Sequence, residues 1–241
     1  MSSKRTCSTR LLLGGAIAGL LVAALYFIRR RTDRQIIQRR FWDPLYDWGA
    51  PLYDAVDWLT GGTTHRLRLR ALEYLPPPGS RVLEVGIGSG HLHCDLAARY
   101  ELAGLDLALG MVALTQRRLA ARGLRSDLCQ GSVEALPWPA QTFDAVLSTF
   151  AFSAFSDADC ALAEMRRVLK PGGRLIIVDA GVSQDGNAFS RALAWLWEFL
   201  GDYMRDEVPL LHAHGFTDVQ REDYGPGSCV HVTVGSRPLS K

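Results

Sequence analysis

Short apolar runs bounded by turn residues alternate along this chain with longer stretches in which apolar positions recur at helical spacing. Val82, Leu83 and Val85 make a strand that breaks into glycines, and 92–100 reads as a helix. A second strand over 101–105 ends at Asp106, and an amphipathic helix follows over 109–122 with Gly123 as its stop. Strands are expected at 124–130 and 145–149, a helix at 158–169, and a fifth strand ending at Asp179. The stretch 187–200 would be apolar nearly all round as a helix, which predicts burial on several sides or contact with lipid. A last helix over 206–214 and two strands, 215–221 and 229–236, close the pattern. Regular alternation of strand and helix predicts an α/β domain built on a parallel sheet.

Two segments before residue 81 do not fit that alternation. Residues 11–28 (LLLGGAIAGLLVAALYFI) carry no charge over 18 positions, which as a helix is about 27 Å, enough to cross a hydrocarbon core. Three basic residues precede this run and six arginines follow it by Arg40, a bias that puts the C-terminal side in the cytoplasm. A cleaved signal peptide is the rival reading, but its A-x-A (Ala16, Ala18) lies inside the apolar run with too little ahead of it. The Ser, Thr and Arg content and the lack of acids before Asp33 leave a mitochondrial address open. Gly15 and Gly19 form a G-x-x-x-G through which two spans would approach as a homodimer, or are simply small residues in a short span. Residues 41–75 are dense in aromatics, including Trp42, Trp48, Tyr53 and Trp58, and read as two short helices followed by a third from 65 to 75. The resulting division is 1–40 for the basic flanks and span, 41–80 for a helical extension, and 81–241 for the main domain.

At 241 residues and 48% hydrophobic, the chain holds one full core and an appendage. The charge is as divided as the pattern. Residues 1–40 hold nine basic residues and one acid, net +8, and since the whole chain is +2, residues 41–241 sum to −6. A mildly acidic domain lacks the basic track that nucleic acid requires, and the basic flank suits anionic lipid headgroups. Five cysteines without paired spacing suggest neither a zinc site nor a disulfide framework.

The chemistry is concentrated at 81–90, RVLEVGIGSG. Gly86, Gly88 and Gly90 between a strand and a helix let a ligand lie on bare main chain at a helix N-terminus. The spacing is G-x-G-x-G and the sixth place is His91, which departs from the dinucleotide fingerprint. Asp106 lies twenty residues beyond Gly86, where an acid at the end of the second strand accepts both hydroxyls of a ribose. The E-x-G-x-G-x-G form resembles motif I of the class I S-adenosylmethionine-dependent methyltransferases. Residues 167–175, RVLKPGGRL, match that family's turn between helix and fifth strand, and 131–139, GSVEALPWP, resemble its G-D-A-E-x-L-P-F-P segment. Ala50, Tyr53 and Asp54 resemble the A-x-x-Y-D entry of the ubiquinone and menaquinone biosynthesis methyltransferases.

The resemblance implies a Rossmann-like fold, a seven-stranded mostly parallel sheet with helices on both faces, here preceded by one transmembrane helix. It implies S-adenosylmethionine as cofactor, held by Glu84, Gly86, Gly88, Gly90, Asp106, Leu107, Ser132, Val133 and Thr149. Ser132 stands where the family has an acid for the adenine amino group, so the Val133 backbone takes a larger share of adenine recognition. Tyr53 is the candidate lid residue, and Phe150, Phe152 and Trp195 are candidates for the acceptor side, where an apolar wall of Phe150, Phe152 and Phe155 follows the fourth strand. Relatives often place His or Arg near Ser153, and here neither is present. Candidate bases are His91, His93, Asp179, Asp202, His212 and His214, with no motif to choose among them. The reading is a membrane-anchored methyltransferase of a lipophilic small molecule, a phospholipid amine or a quinone-type acceptor. The alternative is a membrane-bound, methyltransferase-like scaffold or assembly factor with little catalysis.

Overall fold

The computed structural model describes residues 63–239, all of them within the compact unit Trp42–Lys241. The apolar run 11–28, the Gly15/Gly19 pair and Tyr53 lie outside the described residues. Among the described residues no helix is long and apolar enough to cross a membrane.

Seven strands form one sheet in the order β3-β2-β1-β4-β5-β7-β6. They are β1 (Arg81–Val85), β2 (Glu101–Asp106), β3 (Asp127–Gln130), β4 (Phe143–Thr149), β5 (Leu169–Ala180), β6 (Thr217–Tyr224) and β7 (Val230–Ser236). The first five pair in parallel, and β7 alone runs against its neighbours β5 and β6. The helices are α1 (Thr63–Arg68), α2 (His91–Ala97), α3 (Leu109–Ala121), α4 (Ala158–Val168), α5 (Ala188–Leu200) and α6 (Glu207–Ala213). The seven-stranded, mostly parallel sheet expected from the sequence is present.

Because β1, β4 and β5 are covered on both faces, they read as continuous apolar runs and not as alternations. Leu83, Val85, Val146, Leu175 and Ile177 point into a core closed by Leu162, Met165 and Val168 of α4 and by Leu211 of α6. Val82, Leu147, Ile176 and Val178 point the other way, against Leu92 and Leu96 of α2 and the segment around Ala71. At about 25 cal/mol per Å² of apolar area, each of these fully buried aliphatic side chains stabilises the fold by roughly 1.5–3 kcal/mol.

Several boundaries differ from the sequence expectation, each for a local reason. β3 starts at Asp127 and not at 124, because the Leu124 N–H caps α3 through Leu119 O (2.9 Å) after Gly123. The third N-terminal helix is α1 followed by a 3-10 turn, Leu69–Glu73, and it stops before three consecutive prolines. The Lys170-Pro171-Gly172-Gly173 stretch is not a turn outside the sheet. It lies within β5, where the pairing with β4 shifts register and where Gly172 and Gly173 exchange backbone hydrogen bonds with Arg237, both 2.8 Å.

α5 departs furthest from the expected burial. Ser190 and Ala194 face inward, whereas Phe189 and Trp195 are each 56% exposed and Leu196 and Trp197 are also exposed. The helix is amphipathic with its large apolar residues outward.

Candidate active site

β1 delivers its C-terminal end into the glycine loop, and all three glycines take left-handed backbone angles, φ +71°, +52° and +76° at Gly86, Gly88 and Gly90. A side chain at Gly88 would meet nothing within 4 Å, so the main chain there faces open space. A Cβ on Gly90 would lie 2.2 Å from Thr115 Oγ1 of α3, and one on Gly86 would lie 2.4 Å from Ala151 Cβ after β4. Only glycine permits both the turn and these approaches. The loop is therefore wedged between α3 and the turn that follows β4.

Asp106, half-buried at the end of β2, organises the second edge of the site. Its Oδ2 accepts the Gly88 N–H at 2.8 Å, and its Oδ1 accepts the Ala108 N–H at 2.9 Å at the start of α3. One carboxylate thus sets the glycine loop and a helix N-terminus together. Beside it Leu107 and Leu109 are both exposed, an apolar shelf next to the carboxylate.

Glu84 lies beneath the loop, not on its surface. Its Oε2 is 2.9 Å from His93 Nδ1, and both side chains are buried. His93 Nε2 lies 2.8 Å from Ser126 Oγ, which donates to Leu102 O (2.7 Å). Gly104 of β2 makes room for the imidazole, since a Cβ there would be 2.6 Å from His93 Cε1. Of the candidate bases, His93 is consequently a buried structural partner of Glu84.

The third edge is the segment 131–139. Ser132 Oγ accepts the Glu134 N–H (3.2 Å), and the Val133 side chain is packed in the core with Leu83 and Val85. Arg167 fastens the segment by donating to Trp138 O (2.9 Å) and Leu136 O (3.0 Å), while Glu164 Oε2 accepts from Leu136 N (2.8 Å). The hydrogen bond from Arg167 holds the Glu164 carboxyl below its ordinary value.

Beyond β4 the chain turns sharply. Phe150 has φ +52°, a left-handed conformation that is costly for an aromatic residue, and its N–H is fixed on Val178 O (2.7 Å). The Phe150 ring is half-buried beneath the Arg68 guanidinium, 5.4 Å from its centroid. Phe152 does not stand in the expected wall: it is 1% exposed and packed in the core, with Phe155 edge-on to it. Trp195 is exposed on α5 and stacked on Phe199 at 5.8 Å.

Ser153, in the same turn, is bound to a buried carboxylate. Asp179 Oδ2 accepts the Ser153 N–H (2.7 Å), and Asp179 Oδ1 accepts the Ser153 hydroxyl (3.0 Å) and the Ala180 N–H (2.8 Å). Burial pushes the Asp179 carboxyl up to about 6, against the Ser153 N–H, which lowers it; Glu207 raises it further and His231 lowers it. His231 is the β7 residue opposite Asp179, and its Nε2 lies 2.8 Å from Glu207 Oε2. Arg205, from the link between α5 and α6, donates to Phe152 O (3.1 Å) and Phe155 O (2.7 Å). Burial lowers the Arg205 guanidinium. A cation thus reaches the turn that lacks one in its own sequence.

Three of the other candidate bases lie in α2 and α6 or at the end of α6. His91 packs edge-on to His65, His212 is exposed, and His214 pairs with Asp159 at 2.8 Å. Ser153, Arg205, Glu207 and His231 were not selected from the sequence, because the burial and the partners that distinguish them arise only from the fold.

The bare main chain at Gly88, the carboxylate at the end of β2 and the helix N-terminus of α2 suit a nucleoside-bearing ligand, and residues 83–177 match the family profile described as a methyltransferase domain. This stretch is a methyltransferase domain. The domain is of the S-adenosylmethionine-dependent kind, and its residues fit that cofactor at the loop just described. The chain is similar to demethylmenaquinone methyltransferase of Thermus thermophilus, 38% identical over 135 residues that cover 54% of this chain and 61% of the relative. It is also similar to the ubiquinone/menaquinone biosynthesis C-methyltransferase UbiE of Syntrophotalea carbinolica, 39% identical over 142 residues, 56% of this chain and 60% of the relative. Each match spans about six tenths of the relative's length. In fold the chain resembles phosphoethanolamine N-methyltransferase 2 of Haemonchus contortus in complex with S-adenosyl-L-methionine. The TM-score is 0.67 at 18% identity, covering 86% of this chain and 60% of that one.

Proposed function

We propose that this chain transfers a methyl group from S-adenosylmethionine to a lipophilic small molecule at a membrane, the acceptor being a quinone-type ring or a phospholipid amine. The observation that carries the reading is the joint hold of Asp106 on Gly88 and Ala108, which leaves the glycine loop set against open space at the C-terminal ends of β1 and β2. The names of the similar proteins support a quinone-type acceptor, and the uncharged run 11–28 supports a membrane setting with the domain on the cytoplasmic side.

The cofactor, when bound, supplies an activated methyl group on a sulfonium. In this reading Asp106 accepts the ribose hydroxyls while keeping the loop in place, and Gly86, Gly88 and Gly90 provide the floor. Ser132, the Val133 backbone and Leu107 border the adenine. Thr149 and Phe150 bound the reacting end. Glu84 acts from below, through the loop and α2, and Tyr53 and Trp195 belong to the acceptor side. The turn 150–156, fixed by Asp179 and Arg205, orients the acceptor, since holding two reactants in line supplies much of the rate.

Calorimetry on the full-length protein in detergent, with S-adenosylmethionine and with the Asp106→Ala variant, tests the reading. Micromolar binding weakened about 10–100-fold in the variant is expected, the value of one or two charge-assisted hydrogen bonds. A folded wild-type protein that binds no cofactor would exclude it.

A further inference from the structure

Two buried carboxylates, Asp179 and Glu207, lie near the turn after β4, and the cofactor contacts leave both unused. Asp179 is 1% exposed, so it is screened from any acceptor, and Ser153, bonded to it, is the more exposed of the two at 8%. Ser153 donates both its N–H and its hydroxyl to that carboxylate, and its own carbonyl accepts the Tyr203 N–H at 2.7 Å. The two backbone bonds fix the turn, and the hydroxyl bond fixes the side chain. The hydroxyl oxygen accepts no bond among the described residues, so its lone pairs remain available. Two residues earlier in the same turn, Ala151 abuts Gly86 of the cofactor loop. The dyad therefore lies on the turn that joins the cofactor loop to the ends of β4 and β5.

We propose that Ser153 and Asp179 form a proton relay for the acceptor, which selects acceptors that give up a proton from oxygen, such as phenols and hydroquinones, over amines. This rests on the methyltransferase reading above and narrows its acceptor. The O–H proton of the acceptor passes to Ser153 Oγ as the hydrogen of Ser153 passes to Asp179 Oδ1. The electron pair left on the acceptor oxygen forms the new bond to the methyl carbon, directly or through a ring carbon whose hydrogen afterwards moves to the oxygen. The bond from methyl to sulfur breaks with its pair returning to sulfur. After product leaves, Asp179 returns the proton to solvent by the reverse path.

The surroundings of Asp179 suit a base that works near neutrality. Glu207 of α6 faces it, paired with His231 of β7 at 2.8 Å and with Arg221 of β6 at 3.9 Å. Arg205 reaches the same turn through Phe152 O. Burial and the Glu207 charge both disfavour a second negative charge, which is why the carboxyl rises to about 6.

The relay is tested with full-length protein and 1,4-dihydroxynaphthalene, kept reduced, as acceptor. Wild type is compared with Asp179→Asn, Ser153→Ala, Ser153→Thr and Glu207→Gln. The readouts are kcat against pH, cofactor affinity, and carboxyl titration of 13C-aspartate-labelled protein by NMR without cofactor. Asp179→Asn and Ser153→Ala are expected to lose about 10²–10⁴-fold in kcat with cofactor affinity unchanged, the range for a general base, and Ser153→Thr to restore most of it. Glu207→Gln should move the acidic limb and the NMR titration together to lower pH, and this comparison stands even where Asp179→Asn fails to fold. An Asp179→Asn enzyme within threefold of wild type, or a limb that does not follow the NMR titration, overturns the relay. A wild type that binds cofactor and methylates amines but no hydroxyl overturns it while sparing the methyltransferase reading. Absence of cofactor binding overturns both.

Discussion

Asp179→Asn is expected to gain stability on wild type as pH rises from 5 to 8, although it removes a well-bonded side chain. The carboxyl rises from 3.8 to about 6 in the fold, and a difference of about two units at 1.36 kcal/mol per unit amounts to roughly 3 kcal/mol. The sign follows from proton uptake. The folded state holds this proton more tightly than the unfolded chain, so the stabilisation is complete below pH 3.8 and is lost as pH rises through 6. Between pH 5 and pH 8 wild type should lose about 1 kcal/mol relative to a neutral isostere, or about 2–4 °C in Tm for a domain of this size. Asparagine has one oxygen where the Ser153 and Ala180 N–H groups use two, Oδ2 and Oδ1, so one of them faces the amide instead, a cost of about 1–3 kcal/mol that is the same at every pH. Urea unfolding of both proteins at pH 5 and pH 8 measures the double difference, in which all groups common to both cancel. A difference between variant and wild type that stays the same from pH 5 to pH 8, or that moves against the variant as pH rises, refutes the reasoning, because the buried carboxyl would then hold its proton no more tightly than the unfolded chain does.

Two glycines of one loop should fail differently. Gly90→Ala drives a methyl into Thr115 and is expected to cost several kcal/mol in unfolding experiments, whereas Gly88→Ala meets nothing within 4 Å and should cost only about 1 kcal/mol of backbone strain while weakening cofactor binding at least tenfold by calorimetry. His93→Ala leaves Glu84 buried without its partner, and chemical denaturation should report a loss of about 3–5 kcal/mol. Arg205→Lys keeps the charge and loses the fork that holds Phe152 O and Phe155 O. Its kcat/KM for acceptor should fall about tenfold or more with cofactor affinity unchanged, as separate titrations of the two ligands would show.

The alternation from β1 to β5 was legible because both faces of those strands are covered, which makes each an uninterrupted apolar run. Glycine spacing and the position of Asp106 marked the candidate site for a similar reason: both are local demands of a turn and a strand end. The start of β3 was misjudged because Leu124 is apolar, yet its N–H serves to cap α3. The apolar character of 187–200 was plain, but which side it turned outward was not, since Ser190 and Ala194 are small enough to pack inward and leave the large residues outside. Ser153 and Asp179 are 26 residues apart, and Arg205 meets Phe152 across 53. No spacing rule encodes such contacts. They depend on β5 lying beside β4 and on the link after α5 folding back over the turn.

The placement of β7 between β5 and β6 has a consequence for synthesis. β6 leaves the ribosome before β7, yet it reaches the sheet only through β7. Until Val230–Ser236 emerges, one edge of β5 has no partner and Thr217–Tyr224 has no place to dock. Arg237, just beyond, donates to the carbonyls of Arg166, Arg167 and Leu169 where α4 passes into β5. A ribosome stalled about a dozen residues earlier would therefore hold a chain deprived of two strands and a helix clasp, with the β5 edge open to pairing with another nascent chain.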